Sequence, residues 1–136
     1  MEIDFHKKMN VFKKTDCRCS ICGKTDNLIC AYFIPTWTRI LKQDINNMIP
    51  LCEECNIKRG LDFIELGKLK YLNKTELQIL MRYYSKLDNY LYKYVVLYGA
   101  QRTRGLIDID RSLLILNSYL LYCREHKDEL DWESDK

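Results

Sequence analysis

Two C-x-x-C steps, Cys19-Ser20-Ile21-Cys22 and Cys52-Glu53-Glu54-Cys55, stand 29 residues apart in this chain. A C-x-x-C turn forms a knuckle whose two thiolates converge on one ion, and zinc takes a closed tetrahedral set of thiolates at about 2.3 Å. Two knuckles complete that shell and leave no position for a water. The spacing therefore predicts one structural Zn²⁺ held by Cys19, Cys22, Cys52 and Cys55, not a catalytic ion. Gly23, directly after the first pair, suits the tight knuckle turn. The segment offers few large apolar residues, and metal binding would add folding free energy on the order of 10 kcal/mol. Cys17 lies close enough to compete with Cys19 as a ligand. Cys30 and Cys123 read as small apolar residues.

The chain has seven cysteines, an odd number, and its N-terminus carries no apolar leader stretch. Both point to a reducing compartment, where paired C-x-x-C steps are metal sites and not disulfides. An intracellular protein is expected, cytoplasmic or nucleoid-associated, and no run of apolar residues is long enough to span a membrane. The residue bias toward Lys, Ile, Asn, Leu and Tyr hints at an A+T-rich genome, such as that of a virus, phage included, or a low-G+C bacterium. The net charge of +3 hides an asymmetry, because residues 124–136 hold six acids and three bases. The body is thus moderately basic, which suits nucleic-acid binding, as it also suits an ordinary charged surface.

The organisation reads as a basic arm or short helix over 1–16, a zinc module over 17–60, a helical extension over 61–130 and an acidic tail over 131–136. A long helix is expected from about Asn73 to Tyr98, capped by Asn73 or Thr75. Leu77, Leu80, Tyr84, Leu87, Leu91, Tyr94 and Tyr98 form its apolar stripe, and Gly99 is a plausible stop. A polar link over 101–105 leads to a second helix, capped near Asp110 and running to about Leu130; Leu61–Leu72 reads as one further short helix, and Thr36–Lys42 as a short turn. The fold class is α+β, mostly α: a small zinc-bound ββα module followed by a C-terminal helical hairpin. Tyrosines at helical spacing read first as core or interface rather than as a base-stacking platform; an exposed Tyr/Leu face would be a partner surface.

The residues around the knuckles extend the pattern. They read Leu28-Ile29-Cys30-Ala31-Tyr32-Phe33-Ile34-Pro35, then Asn47-Met48-Ile49-Pro50-Leu51-Cys52, then Cys55-Asn56-Ile57-Lys58-Arg59-Gly60. This resembles the HNH endonuclease family in its zinc-stapled ββα-metal form, over roughly residues 17–60. The resemblance implies a metal ligand and a histidine general base at the end of the second strand of that motif, and these positions fall on Ala31 and Tyr32. The base-orienting Asn falls on Asn47, the last metal-ligand position on Asn56, and a phosphate-facing cation on Lys58.

Those positions lack the family's chemistry. Ala31 has no ligand atom, and a phenol is a poor general base at neutral pH because tyrosine ordinarily titrates at about 10. Magnesium normally wants carboxylate oxygens, and Asn56 alone supplies none. The only histidines, His6 and His126, lie far from the motif in sequence. Asn47 is expected to tie the loop to the strand, and Asn56 to cap the helix at the second knuckle.

The expected function is a catalytically inactive HNH-like zinc protein that binds nucleic acid, DNA before RNA, through Lys58, Arg59, Lys68, Lys70, Arg102 and Arg104, with Lys7, Lys8, Lys13, Lys14 and Arg18 as further basic residues. The alternative is a protein-interaction module, such as a phage inhibitor or adaptor of a host nuclease or defence complex. It would act through its Tyr/Leu-rich helices, homodimerisation included. A third reading is an active HNH-type metal-dependent endonuclease with an atypical centre, using Tyr32 with His6, His126, Glu53, Glu54 or Asp62.

Overall fold

The computed structural model describes residues 5–39 and 44–130. The acidic tail over 131–136 and part of the turn expected over 36–42 lie outside them. Helix α1 (Phe5–Phe12) leads through a 3₁₀ turn and the first knuckle to strand β1 (Leu28–Tyr32); strand β2 (Met48–Cys52) and helix α2 (Glu53–Arg59) complete a ββα unit. The strands pair antiparallel, with Leu28 opposite Cys52 and Tyr32 opposite Met48. All five residues of β2 are buried, with α1 and α2 both packed against the hairpin. Lys14, just past α1, is itself buried and donates from Nζ to Ile45 O at 2.6 Å and Met48 O at 2.7 Å. Burial lowers its pKa, with Glu76 and Asp44 opposing that shift. Lys14 is thus an internal clamp and not a surface cation.

The helical part keeps a hairpin, α4 against α5, but its helices have other bounds than expected. Instead of one helix to Tyr98 there are two, α3 (Lys74–Ser85) and α4 (Asp88–Thr103). Asn73 caps α3 by accepting from Glu76 N at 2.8 Å. At its far end Ser85 Oγ bonds back to Arg82 O at 2.8 Å, a local bond that competes with helix continuation. The break lets both halves of the apolar stripe pack on α5 (Ile109–Glu125), which one straight rod of that length would not allow.

Gly99 is not the stop. It lies within α4, where an added Cβ would meet Ile107 Cδ1 at 3.5 Å and Ile109 Cγ1 at 3.7 Å, so it gives room for the return of the chain. The helix ends instead at Arg104, in a left-handed conformation, followed by Gly105. The cap of α5 is Asp108 and not Asp110; it accepts from Arg111 N at 3.1 Å. At His126 the helix gives way to the short α6 (Lys127–Leu130). Over 61–72 there is a single 3₁₀ turn at Leu66–Lys68 in place of a helix. Phe63, Ile64, Leu69 and Leu72 are anchored one by one in the core, a spacing no single helical face provides.

One hydrophobic cluster runs through the ββα unit and the helices, from Cys19, Phe33 and Leu51 to Leu80, Leu91 and Tyr119. Tyr119 is its hub. Its ring lies 5.2 Å from Phe33 and 5.1 Å edge-on from Tyr84, and its hydroxyl donates to Ile64 O. Burial pushes the phenol pKa values of Tyr119 and Tyr84 up. No helix among the described residues is long and apolar enough to cross a membrane.

Candidate metal centre and basic cleft

The first knuckle closes with Cys19 N donating to Lys24 O at 2.8 Å and Gly23 N to Cys19 O at 3.0 Å, Gly23 having φ +79°. Ser20 fixes it to β2, with both its N–H (2.9 Å) and its hydroxyl (2.7 Å) donating to Pro50 O. The second knuckle is the junction of β2 and α2. Cys52 is the N-cap residue, and its Sγ accepts from Cys55 N at 3.4 Å. Antiparallel pairing puts Cys52 opposite Leu28, which brings the two knuckles to the same end of the hairpin.

The four ligand atoms of Cys19, Cys22, Cys52 and Cys55 lie within 4.8 Å of one another. The Cys22 and Cys52 sulfurs are 3.7 Å apart, the edge length of a tetrahedron built on zinc–sulfur bonds of about 2.3 Å. This set fits one Zn²⁺ with no side left for substrate. Without the ion the four thiols cannot all be charged. Burial and hydrogen bonds with neighbouring sulfurs push the Cys55 pKa up. Burial also acts to raise that of Cys19, but backbone hydrogen bonds at Cys22, Cys52 and Ile21 outweigh it and bring the thiol to about 7. Among the described residues no other group joins the cluster: Cys17 is exposed outside it, and Cys30 and Cys123 are half-buried elsewhere.

Three of the positions that the family resemblance picks out come together. Ala31, Tyr32 and Asn56 line one pocket of about 220 Å³, with Trp37 and Arg59. Among the described residues no carboxylate or imidazole lines it. Glu53 and Glu54 face a separate hollow beside Cys52, and Asp62 a third. His6 sits on α1 against Phe5, and His126 stacks on Tyr122 at 4.0 Å. Asn47 stands apart, fully buried, and ties the loop as expected: Oδ1 accepts from Ile34 N at 2.9 Å, and Nδ2 donates to Ile34 O at 3.2 Å. Asn56 does not cap α2, since Cys52 does; it sits mid-helix with its side chain at the pocket.

On the other side of Arg59, a cleft of about 490 Å³ runs between α2, the 61–72 segment and α5. Lys58, Lys68 and Lys70 line it together with Arg111, which the sequence reading had not singled out. Arg111 comes from the first turn of α5, and no motif or spacing links it to the knuckle. It pairs with Glu65 at 3.1 Å, and Lys58 with Glu54 at 3.4 Å, both in solvent-exposed positions where such pairs hold the cations weakly.

Arg59 lines the cleft too, but its donors are spent inside the protein. Its guanidinium donates to Tyr32 O, to Phe33 O at 2.8 Å and, through Nε, to Asp62 O at 2.7 Å. Burial lowers its pKa to about 10, so it stays charged at neutral pH. The structure thus makes Arg59 a bracket between α2 and the end of β1, correcting its expected place among the phosphate-facing cations. Arg102 and Arg104 are at the far end of α4 and do not reach the cleft.

The family model described as HNH endonuclease matches residues 19–61, from the first zinc ligand to just past α2. No curated protein and no solved structure matches the chain.

Proposed function

We propose that this protein is an HNH-like zinc module that binds nucleic acid without cleaving it, as an intracellular protein of cytoplasmic or nucleoid location. The observation that supports this reading most is the cleft beside the second knuckle, where Lys58, Lys68, Lys70 and Arg111 converge from three segments on one concavity. Such a set neutralises backbone phosphates with little regard for sequence. DNA is the favoured polymer, from the match over 19–61 to a DNA-cutting family.

The lack of cleavage is supported by the adjoining pocket. Where the family resemblance calls for an acid or imidazole and a general base, the pocket offers the methyl of Ala31, the phenol of Tyr32 and the amide of Asn56. These hold a magnesium ion poorly and abstract a proton from water poorly at neutral pH. The zinc supplies structure and leaves no position for the attacking water.

Fluorescence anisotropy with zinc-loaded protein at two salt concentrations tests the binding. Lys68→Glu with Lys70→Glu should weaken it and flatten the salt dependence, and absence of binding at low salt would sink the proposal. Incubation of plasmid with Mg²⁺ or Mn²⁺ tests the inactivity, where cutting abolished by Tyr32→Phe would restore the reading of an active nuclease. A protein-interaction role is favoured by a different feature, the apolar groove of about 630 Å³ between α4 and α5 that includes the exposed Leu114 and Tyr92. Light scattering and partner capture address it.

A further inference from the structure

We propose that the tyrosine row on α4 is a base-stacking track for single-stranded nucleic acid. The inference deepens the function proposed above and rests on it, adding the form of the strand and a second surface. Tyr90, Tyr94 and Tyr98 recur every four residues. The Tyr90 and Tyr94 rings stack at 5.8 Å and 18°, and Tyr94 and Tyr98 lie 5.2 Å apart at 51°. Tyr94 is buried, and its hydroxyl meets Trp37 O at 3.5 Å, so it acts as the fixed spacer. Its two neighbours are 54% and 44% exposed, which is unusual for rings on a core helix and leaves π-faces open to a ligand.

Charge identifies the occupant. The row continues at the same four-residue step into the exposed Arg102 after Tyr98, and the exposed Lys86 lies in the break just before α4. From Asn89 to Ile107 the chain carries Lys93, Arg102 and Arg104 and no acid. The opposite side of α4 differs, because the groove shared with α5 carries Asp88 and Asp110 and would repel a phosphate chain. A protein partner fits that largely apolar groove and its two acids better; the cationic aromatic side suits a polyanion with exposed bases.

Spacing then selects the strand form. The two exposed rings stand eight helical residues apart, a rise of about 12 Å, against about 3.4 Å per nucleotide in a stacked duplex strand. A duplex cannot follow the row with its bases, whereas an unpaired strand pulled open between bases can. The row is also continuous with the cleft. Tyr94 packs on Trp37 at 6.2 Å, Trp37 lines the Tyr32–Asn56 pocket, and Arg59 lines both that pocket and the basic cleft. A strand held by its phosphates at Lys58, Lys68 and Lys70 can therefore pass over the pocket and present its bases to α4.

The test compares fluorescein-labelled oligothymidylate with a duplex of equal length on the full zinc-loaded chain. Tyr90→Ala with Tyr98→Ala should weaken single-strand binding about thirtyfold or more, the scale of losing stacking on two bases. Duplex affinity should hold within about twofold and the salt slope should not change, since no phosphate contact is lost. Tyr90→Phe with Tyr98→Phe should restore binding, because the rings remain. Both tyrosines are exposed, and unchanged circular dichroism checks that the variants fold. Single-strand binding that survives the alanine pair, or an equal loss on single strand and duplex, overturns the track. A fall from dimer to monomer with single-strand affinity intact also overturns it and makes the row an interface between copies. If Lys68→Glu with Lys70→Glu abolishes binding of both probes while the alanine pair does nothing, the cleft stands and the track fails. If the parent binds neither probe at low salt, both proposals fall.

Discussion

Replacing Arg59 by alanine separates a structural role from a phosphate-binding one at a residue that sequence assigns to the second. The guanidinium donates through three nitrogens to carbonyls of Tyr32, Phe33 and Asp62, and so joins α2 to the end of β1 and to the start of the 61–72 segment. A hydrogen bond to a charged group contributes about 1.5–3 kcal/mol, and a buried carbonyl left without a partner costs about 1–3 kcal/mol. Arg59 lines two open pockets, so water can reach some of the carbonyls after truncation. The low end applies, and the expected loss is about 3 kcal/mol. For a chain of 136 residues this lowers the melting midpoint by about 10 °C.

The assay is thermal unfolding of reduced, zinc-loaded protein by circular dichroism, alongside nucleic-acid affinity at two salt concentrations. Arg59→Lys should recover little, because one ammonium cannot reach three carbonyls from a planar fork's position. A variant that melts within about 2 °C of the parent but loses affinity and about one unit of salt slope would refute the bracket. It would return Arg59 to the phosphate-facing set.

Three further outcomes are expected. Zinc affinity should rise with pH: Cys55, its pKa raised by burial and by its sulfur neighbours, must give up a proton on binding, and below about 7 Cys19 must give up another, so the slope of log affinity against pH steepens there; titration against a competing chelator measures it, and a flat profile would contradict thiolate ligation. Gly23→Ala should destabilise by about 1–3 kcal/mol, since φ is +79° and the new Cβ would lie 2.6 Å from the Tyr71 ring; Tyr71→Ala in the same chain should relieve the clash and leave only the backbone strain, as urea unfolding would report. Asn47→Ala should cost about 2–3 kcal/mol by orphaning the buried N–H and C=O of Ile34, with zinc stoichiometry unchanged; a loss below about 0.5 kcal/mol would remove Asn47 from the structural set.

The metal centre was legible in the sequence because its constraint is local. Two knuckles and a glycine determine where four sulfurs point, and β-pairing of Leu28 with Cys52 does the rest. The ββα order followed from the same segment. The helical part was legible in composition and not in layout. Gly99 looks like a stop from sequence, yet it is kept by Ile107 and Ile109 packing against α4, a contact that exists only after the chain has turned back. The break after Ser85 has the same origin in packing on α5. Arg59 and Arg111 were misread or missed for one reason: a cation's role depends on which carbonyls or carboxylates fold up to it, and two of the three that hold Arg59 lie 26 and 27 residues upstream.

The zinc module and the helices cannot be treated as a tag and its handle. Cys19 and Cys52 belong to the same buried cluster as Tyr84, Leu116 and Tyr119, and Phe33, one residue beyond β1, is packed by the Tyr119 ring. The 61–72 segment joins the two further: Tyr71 N donates to Ser20 O at 3.0 Å inside the first knuckle, while Ile64 O accepts from Tyr119. An ion that fixes Cys19 and Cys52 therefore fixes the floor on which α3 and α5 pack. That coupling makes Cys19 and Cys52 part of the whole core, while Tyr32 and Asn56 lie at a pocket beside it.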